Sequence, residues 1–118
     1  MQGGAHMTAP RIYIAGPMSQ GDMARNVRQA LDAAEALLAL GCAPYVPHFT
    51  HFWSLLYAHS HDEWLALDFA WLRVCDALLR LPGASVGADM ETAFTAEHGI
   101  PIFHTITGIQ EWMEGRGI

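Results

Sequence analysis

Apolar residues occur along the chain in short runs that alternate with longer helical repeats. Four short runs have Gly or Pro at a boundary, which predicts buried strands over residues 11–15, 43–46, 76–81 and 100–104. Between them, apolar side chains recur at helical spacing, which predicts helices over residues 23–40, 62–74, 88–98 and 109–113. Residues 48–60 are rich in aromatic and His side chains without a clean period, so we predict a loop there, with at most a short helical piece.

The order of these elements predicts the fold class. A strand followed by a helix, repeated four times, is typical of an α/β protein whose parallel sheet carries helices on both faces, and we expect four or five strands. No linker divides residues 7–118, which we predict to be one domain. The first six residues (MQGGAH) resemble an expression scar before Met7, and we expect them to be disordered.

Composition narrows the classes of function and partner. The net charge is −6 and there is no Lys, which argues against a nucleic-acid backbone binder and a polybasic membrane anchor. No apolar run approaches the ~20 residues of a membrane span. The hydrophobic fraction of 52% predicts an apolar surface patch that a homodimer or larger homo-oligomer would cover. Cys42 and Cys75 lie outside any CxxC motif, which favours reduced thiols in a cytoplasmic protein.

The loops that follow the predicted strands are the expected place for a ligand. In an open parallel sheet, ligands bind outside the carboxyl ends of the strands. Here the first loop contains Gly16, Pro17 and Ser19, the second begins at Pro47-His48, and the third contains Ser85 and Gly87. The first and third loops run into helices, whose free N–H groups suit an anion. Neither loop is a P-loop, and GxGxxG is missing, so the ATP and dinucleotide fingerprints are not met.

Three side chains are candidates for chemistry near these loops. Glu91 lies about one turn into the third predicted helix, where the helix dipole should keep it ionised, although it is equally readable as a solvated acid. Asp68 lies among Trp and Leu residues that would raise its pKa, although an acid on the surface of an amphipathic helix is the alternative. Tyr13 lies in the first strand, on the face opposite Ile12 and Ile14, either as a core tyrosine or with its hydroxyl aimed at a carboxylate.

The histidines raise the question of a metal site. His48 and His51 are three residues apart, and His59 and His61 are two apart, which matches neither an HExxH helix nor a zinc finger. We therefore predict no metal. Aromatic and His side chains that line a base pocket are the favoured interpretation, because nucleobases stack on such rings.

Several of these motifs together resemble those of the nucleoside 2-deoxyribosyltransferase-like family. The residues 12–17 (IYIAGP) resemble its first-strand motif, and Asp76-Ala77, Ser85-x-Gly87-x-x-x-Glu91 and Gly99-Ile100-Pro101 resemble its second half. The resemblance runs from about Arg11 to His104. It implies a flavodoxin-like, Rossmann-like three-layer sandwich, dimers or larger oligomers with shared active sites, and no metal or organic cofactor.

The resemblance also implies roles for individual residues. The nucleophile of the family falls on Glu91, its supporting acid on Asp68 and its strand tyrosine on Tyr13. Glu91 would attack the anomeric carbon, the base would leave, and water or a second base would take the sugar.

Ser85, which lies shortly before the helix predicted over residues 88–98, helps to choose between branches of the family. The transferases typically carry Asp where this chain has Ser85, and a Ser can donate to phosphate, as in the related nucleotide N-glycosidases. We therefore expect cleavage of the N-glycosidic bond of a nucleoside 5′-monophosphate. The first loop lacks the arginine of the glycosidases, so phosphate binding would depend on Ser19, Ser85, backbone N–H groups and Arg25. A nucleoside deoxyribosyltransferase and a nucleotide sensor without turnover are the alternatives.

Overall fold

The computed structural model describes residues 9–118, so the predicted scar at residues 1–6 lies outside the described residues. The described chain alternates strands and helices, as predicted. Its elements are β1 (Arg11–Ala15), α1 (Met23–Ala39), β2 (Ala43–Tyr45), a 3₁₀ turn (Pro47–Phe49), α2 (Thr50–Leu56), α3 (His61–Leu72), β3 (Ala77–Arg80), α4 (Val86–Glu97), β4 (Ile102–Phe103) and α5 (Ile106–Gly115). None of the helices between residues 9 and 118 is long and apolar enough to cross a membrane.

The four strands form one parallel sheet in the order β2-β1-β3-β4. This is the flavodoxin-like order, in which the chain starts near the middle of the sheet and then proceeds in both directions. Tyr13 pairs with Tyr45 on one side and with Leu78 on the other, so β1 lies at the centre of the sheet. The predicted parallel sheet of four or five strands is therefore confirmed, with four.

Alternate residues of β1 enter two separate cores, one on each face of the sheet. Ile12 and Ile14 pack with buried residues of α1 and α5. Tyr13 and Ala15 pack on the other face, with Leu72 at the end of α3 and with α4. The predicted opposition of Tyr13 to Ile12 and Ile14 is confirmed, because successive side chains of a strand point to opposite faces.

Three predictions about local structure need correction. Residues 50–56, in the segment predicted as a loop with at most a short helical piece, form the seven-residue helix α2, and none of its residues is buried, which explains why the segment shows no helical periodicity. α4 begins at Val86 rather than Ala88, because the Ser85 side chain accepts the Ala88 N–H and caps the helix. α5 is also longer than predicted, since Thr105 caps it in the same way.

The adjacent residues Leu37 and Leu38 allow a test of the α1 core. Leu37 is fully buried, whereas Leu38 is 56% exposed. We expect Leu37→Ala to lower the free energy of unfolding by about 2–5 kcal/mol, because it leaves a cavity under the sheet. Leu38→Ala should change it by less than about 0.5 kcal/mol. Urea unfolding of both variants measures the difference, and equal losses would contradict the described packing of α1.

Candidate active site

A cavity of about 330 Å³ opens at the carboxyl ends of the strands, where ligands bind in such sheets. Its wall comes from the β1–α1 loop, the turn after β2, α2, α3 as far as Asp68, and α4 as far as Glu91. Seven of the residues predicted from the sequence line it: Gly16, Ser19, His48, Asp68, Ser85, Gly87 and Glu91.

Glu91 and Tyr13 are joined by a short hydrogen bond at the base of this cavity. The Tyr13 hydroxyl donates to Oε2 of Glu91 at 2.6 Å. Tyr13 is completely buried and Glu91 is only 6% exposed. Ala88, Glu91 and Thr95 recur at helical spacing on the buried face of α4, which therefore turns the carboxyl group toward β1. Glu91 is thus a fixed, buried carboxyl group rather than a solvated acid.

Asp68 reaches the same place from α3. Its carboxyl group lies close enough to Glu91 and Tyr13 that its negative charge raises the pKa of both groups. The approach depends on the packing of α3 against α4, where the rings of Phe69 and Phe94 stack with centroids 4.3 Å apart. Oδ1 of Asp68 is buried and has no hydrogen-bond donor in the described protein. The structure therefore brings the predicted pair of acids together beneath one cavity.

Burial raises the pKa of both carboxyl groups above the usual range. For Glu91, loss of hydration is the largest cause, and the Tyr13 hydrogen bond opposes it. For Asp68, loss of hydration is again the largest cause, and its interaction with the nearby Glu91 carboxyl group opposes it. The raised pKa of Tyr13, also caused chiefly by burial, keeps that hydroxyl protonated and a donor. Because two neighbouring carboxylates repel each other, we expect the pair to hold one proton between them at neutral pH.

The helix dipole was expected to favour the ionised form of Glu91, but burial instead raises the pKa of this group above its usual range. The dipole acts on groups in the first turn of a helix, and its effect weakens beyond that turn. Glu91 lies further along α4, and burial dominates its pKa. The predicted rise in the pKa of Asp68 agrees in direction with the structure.

Arg80 fixes the loop that connects β3 to α4. Its guanidinium donates to the backbone carbonyls of Leu81 and Gly83 and to Oδ1 of Asp89, the last at 2.9 Å. This loop carries Ser85 to the cavity, and the positive charge of Arg80 lowers the pKa of Glu91 slightly. Sequence reasoning missed Arg80. A lone arginine at the end of an apolar strand, just before a Gly-containing loop, is the signal that was available.

The first and third loops also touch each other directly. Gly83 has a φ of +113°, and a Cβ at this position would lie 2.7 Å from Cγ of Pro17. Glycine is thus required both by the backbone conformation and by the close approach of the two loops. Pro17 itself does not line the cavity, but its carbonyl oxygen contacts His48.

The four histidines singled out in the sequence have different positions. His48, His51 and His61 line the cavity, whereas His59 packs against the rings of Trp53 and Trp64. Between residues 9 and 118, no group of three or more His, Cys, Asp or Glu side chains is arranged to hold a metal ion.

Arg25, like Pro17, is a predicted binding residue that does not line the cavity. It lies exposed on α1, where its backbone N–H bonds to the capping side chain of Asp22. In the described part of the chain, no arginine lines the cavity. Thr50 and Ser54 of α2 and Trp64 and Leu65 of α3 do line it and were not predicted.

A large apolar surface lies beside the cavity, on and around α2. Its exposed side chains are Phe49, Phe52, Trp53, Leu55, Leu56, Tyr57 and Trp71. The apolar patch expected from composition is therefore present. The homodimer that would cover it stays a prediction.

Comparison with known proteins agrees with this architecture. A solved structure of a 2-deoxyribosyltransferase from the psychrotolerant bacterium Bacillus psychrosaccharolyticus superposes with a TM-score of 0.64 at 16% identity, over 81% of this chain and 75% of that chain. At this identity the likeness shows a common fold. No protein with curated annotation matches the sequence. The model of one family, described as Domain of unknown function (DUF7768), matches residues 10–105, and the chain belongs to this family.

Proposed function

We propose that the protein cleaves the N-glycosidic bond of a nucleoside 5′-monophosphate through a covalent intermediate on Glu91. The observation that carries the proposal is the pairing of the buried Glu91 with the half-buried Asp68, beside the Tyr13 hydroxyl at the base of a cavity of about 330 Å³. Such a volume is at the lower end of the range for small-molecule sites. Two acids that share one proton supply the nucleophile and the acid of a glycosyl transfer.

The reaction divides the proton and the negative charge between the two acids. With the shared proton on Asp68, Glu91 is a carboxylate, and its oxygen forms a bond to the anomeric carbon. The bond from that carbon to the base nitrogen breaks, and the base leaves with the electron pair and the proton from Asp68. The oxygen of a water molecule then attacks the anomeric carbon, while the Asp68 carboxylate accepts a proton from this water. The bond from the anomeric carbon to Glu91 breaks, which releases the sugar phosphate. The Tyr13 hydroxyl holds Glu91 in place throughout.

The start of α4 supports the choice of a 5′-monophosphate. Ser85 and Gly87 line the cavity at the N-terminus of this helix, and Ser19 approaches from the first loop. Backbone N–H groups at a helix N-terminus bind anions without a cationic side chain. Such binding fits a cavity that no arginine of residues 9–118 lines.

Gly87 provides a test of this phosphate cradle. A Cβ at Gly87 would meet no protein atom within 4 Å, so Gly87→Ala should fold normally and gain up to about 1 kcal/mol from helix propensity. We expect its affinity for a nucleoside 5′-monophosphate to fall by about tenfold, or ~1.4 kcal/mol, because the methyl group occupies the space of the phosphate. Calorimetric titration measures this loss. Gly115→Ala in α5, also free of close contacts, is the matched control. An equal loss of affinity for the corresponding nucleoside would contradict the cradle.

The structural comparison favours a second candidate. The similar protein from Bacillus psychrosaccharolyticus is a 2-deoxyribosyltransferase, described as a biocatalyst for nucleoside synthesis. This chain has the same fold, so exchange of one base for another on a deoxyribose is the alternative reaction. In both reactions the sugar is first bonded to Glu91. The reactions differ in the molecule that then accepts the sugar, which is water in hydrolysis and a second base in transfer.

Product analysis distinguishes the two candidates. The protein is incubated with ribo- and deoxyribonucleoside 5′-monophosphates and the corresponding nucleosides, and chromatography follows the release of free base. A second free base is then added. Hydrolysis predicts sugar phosphate and no new nucleotide or nucleoside. Exchanged product whose formation is accelerated by the added base would instead establish the transferase, and absence of any free base would overturn both.

A further inference from the structure

His48 is held at the wall of the cavity by a single, well-defined hydrogen bond. Its side chain is only 3% exposed, and Nε2 lies 3.1 Å from the carbonyl oxygen of Pro17. A carbonyl oxygen can only accept, so Nε2 must carry the proton that it donates. Burial lowers the pKa of His48, which keeps the ring neutral. The neutral ring has one proton, and Nδ1 is therefore an acceptor.

Nδ1 of His48 has no donor in the described protein. It is a buried atom without a hydrogen-bond partner, in a residue that lines the cavity. A buried acceptor without a donor is destabilising, so such atoms are rare and require an explanation. The other buried acceptor of this kind in the described chain is Oδ1 of Asp68, which lines the same cavity. Both acceptors thus belong to the site and lack a donor that the protein itself supplies.

We propose that His48 is a specificity-determining residue, whose Nδ1 accepts a hydrogen bond from a neutral O–H or N–H group of the substrate. The inference rests on the proposed function and deepens it. It requires a substrate that presents a donor at this point, which a sugar hydroxyl or an N–H group of a base does and a phosphate does not. A substrate that lacks this donor leaves Nδ1 unsatisfied and is discriminated against.

Two substitutions separate the acceptor role of Nδ1 from the hydrogen bond that joins Nε2 to Pro17. Gln places an amide N–H near the position of Nε2, so His48→Gln retains a donor to Pro17 and loses the acceptor. Asn places an amide oxygen near the position of Nδ1, so His48→Asn retains an acceptor and loses the bond to Pro17. For a substrate with the donor, we expect His48→Gln to lower kcat/KM by about fivefold to tenfold and His48→Asn to restore part of this loss.

Matched substrates identify the source of the donor. Adenosine and 2′-deoxyadenosine 5′-monophosphates differ by one sugar hydroxyl. Guanosine and 1-methylguanosine 5′-monophosphates differ by one N–H of the base. The wild type should favour the member of one pair that carries the donor, and His48→Gln should lose this preference. An equal fall in kcat/KM for both members of both pairs, with no shift of the His48 Nδ1 resonance when the nucleotides bind, would show a structural role and overturn the inference.

A binding measurement separates this inference from the proposed reaction. In Glu91→Gln protein with ¹⁵N-labelled histidine, the Nδ1 resonance of His48 should move toward the position of a hydrogen-bonded acceptor when these nucleotides are added. If it moves although the wild type releases no base, the proposed reaction fails and the inference stands. If base is released but the resonance is unchanged, or if none of the nucleotides binds, the inference is wrong.

Discussion

Glu91→Gln is expected to lower the rate of base release by about 10³-fold or more, because an amide cannot form the glycosyl bond. Gln has nearly the same shape, and its amide oxygen still accepts the Tyr13 hydroxyl, so the fold should be retained. Initial rates, together with circular dichroism of the folded protein, measure the effect. Glu97→Gln, on an exposed position of the same helix, is the control and should have the rate of the wild type. More than a tenth of the wild-type rate in Glu91→Gln would contradict its role as nucleophile.

Asp68→Asn is expected to lower the rate by about 10²- to 10⁴-fold, the usual contribution of a positioned general acid. The amide cannot give a proton to the leaving base. Substrates whose base leaves without protonation should be affected much less, and nucleotides with leaving groups of increasing acidity measure this difference. Asp62→Asn, exposed in the first turn of α3, should leave the rate unchanged. An equal loss for all leaving groups would indicate that Asp68 has another role.

Asp68→Asn should also stabilise the folded protein at neutral and alkaline pH. Because burial raises the pKa of Asp68 and Glu91, the folded state holds more protons than the unfolded state above the usual carboxyl pKa. The stability of the wild type therefore falls as the pH rises from about 4 through these raised values. Asp68→Asn removes one of the two charges, so its thermal midpoint should exceed that of the wild type at pH 8 and approach it at pH 5. The site is thus maintained at the expense of stability.

The sheet could be predicted from the sequence because its strands are buried on both faces. Short apolar runs with Gly or Pro at a boundary identify such strands directly, and all four are present. The position of the cavity followed from the topology, since the carboxyl ends of parallel strands meet at one edge. α2 was missed because its exposed aromatic side chains give no period that distinguishes helix from loop.

The electrostatics of the site could not be predicted in the same way. The meeting of Asp68 and Glu91 depends on the packing of α3 on α4, which no local pattern specifies. The helix dipole is visible in the sequence, but the burial that overcomes it is not, so the pKa of Glu91 is shifted in the direction opposite to the one predicted. Arg80 was overlooked for a related reason, because its role appears only when the loop after β3 folds back onto its guanidinium.

Intact-mass spectrometry after rapid acid quenching tests the covalent chemistry most directly. The wild-type protein is mixed with nucleoside 5′-monophosphates, and peptide mapping locates any gain in mass. We predict a gain equal to one sugar phosphate less one water, carried by Glu91 and absent from Glu91→Gln. Free base released with the sugar phosphate on another residue, or an adduct that persists in Glu91→Gln, would contradict the account.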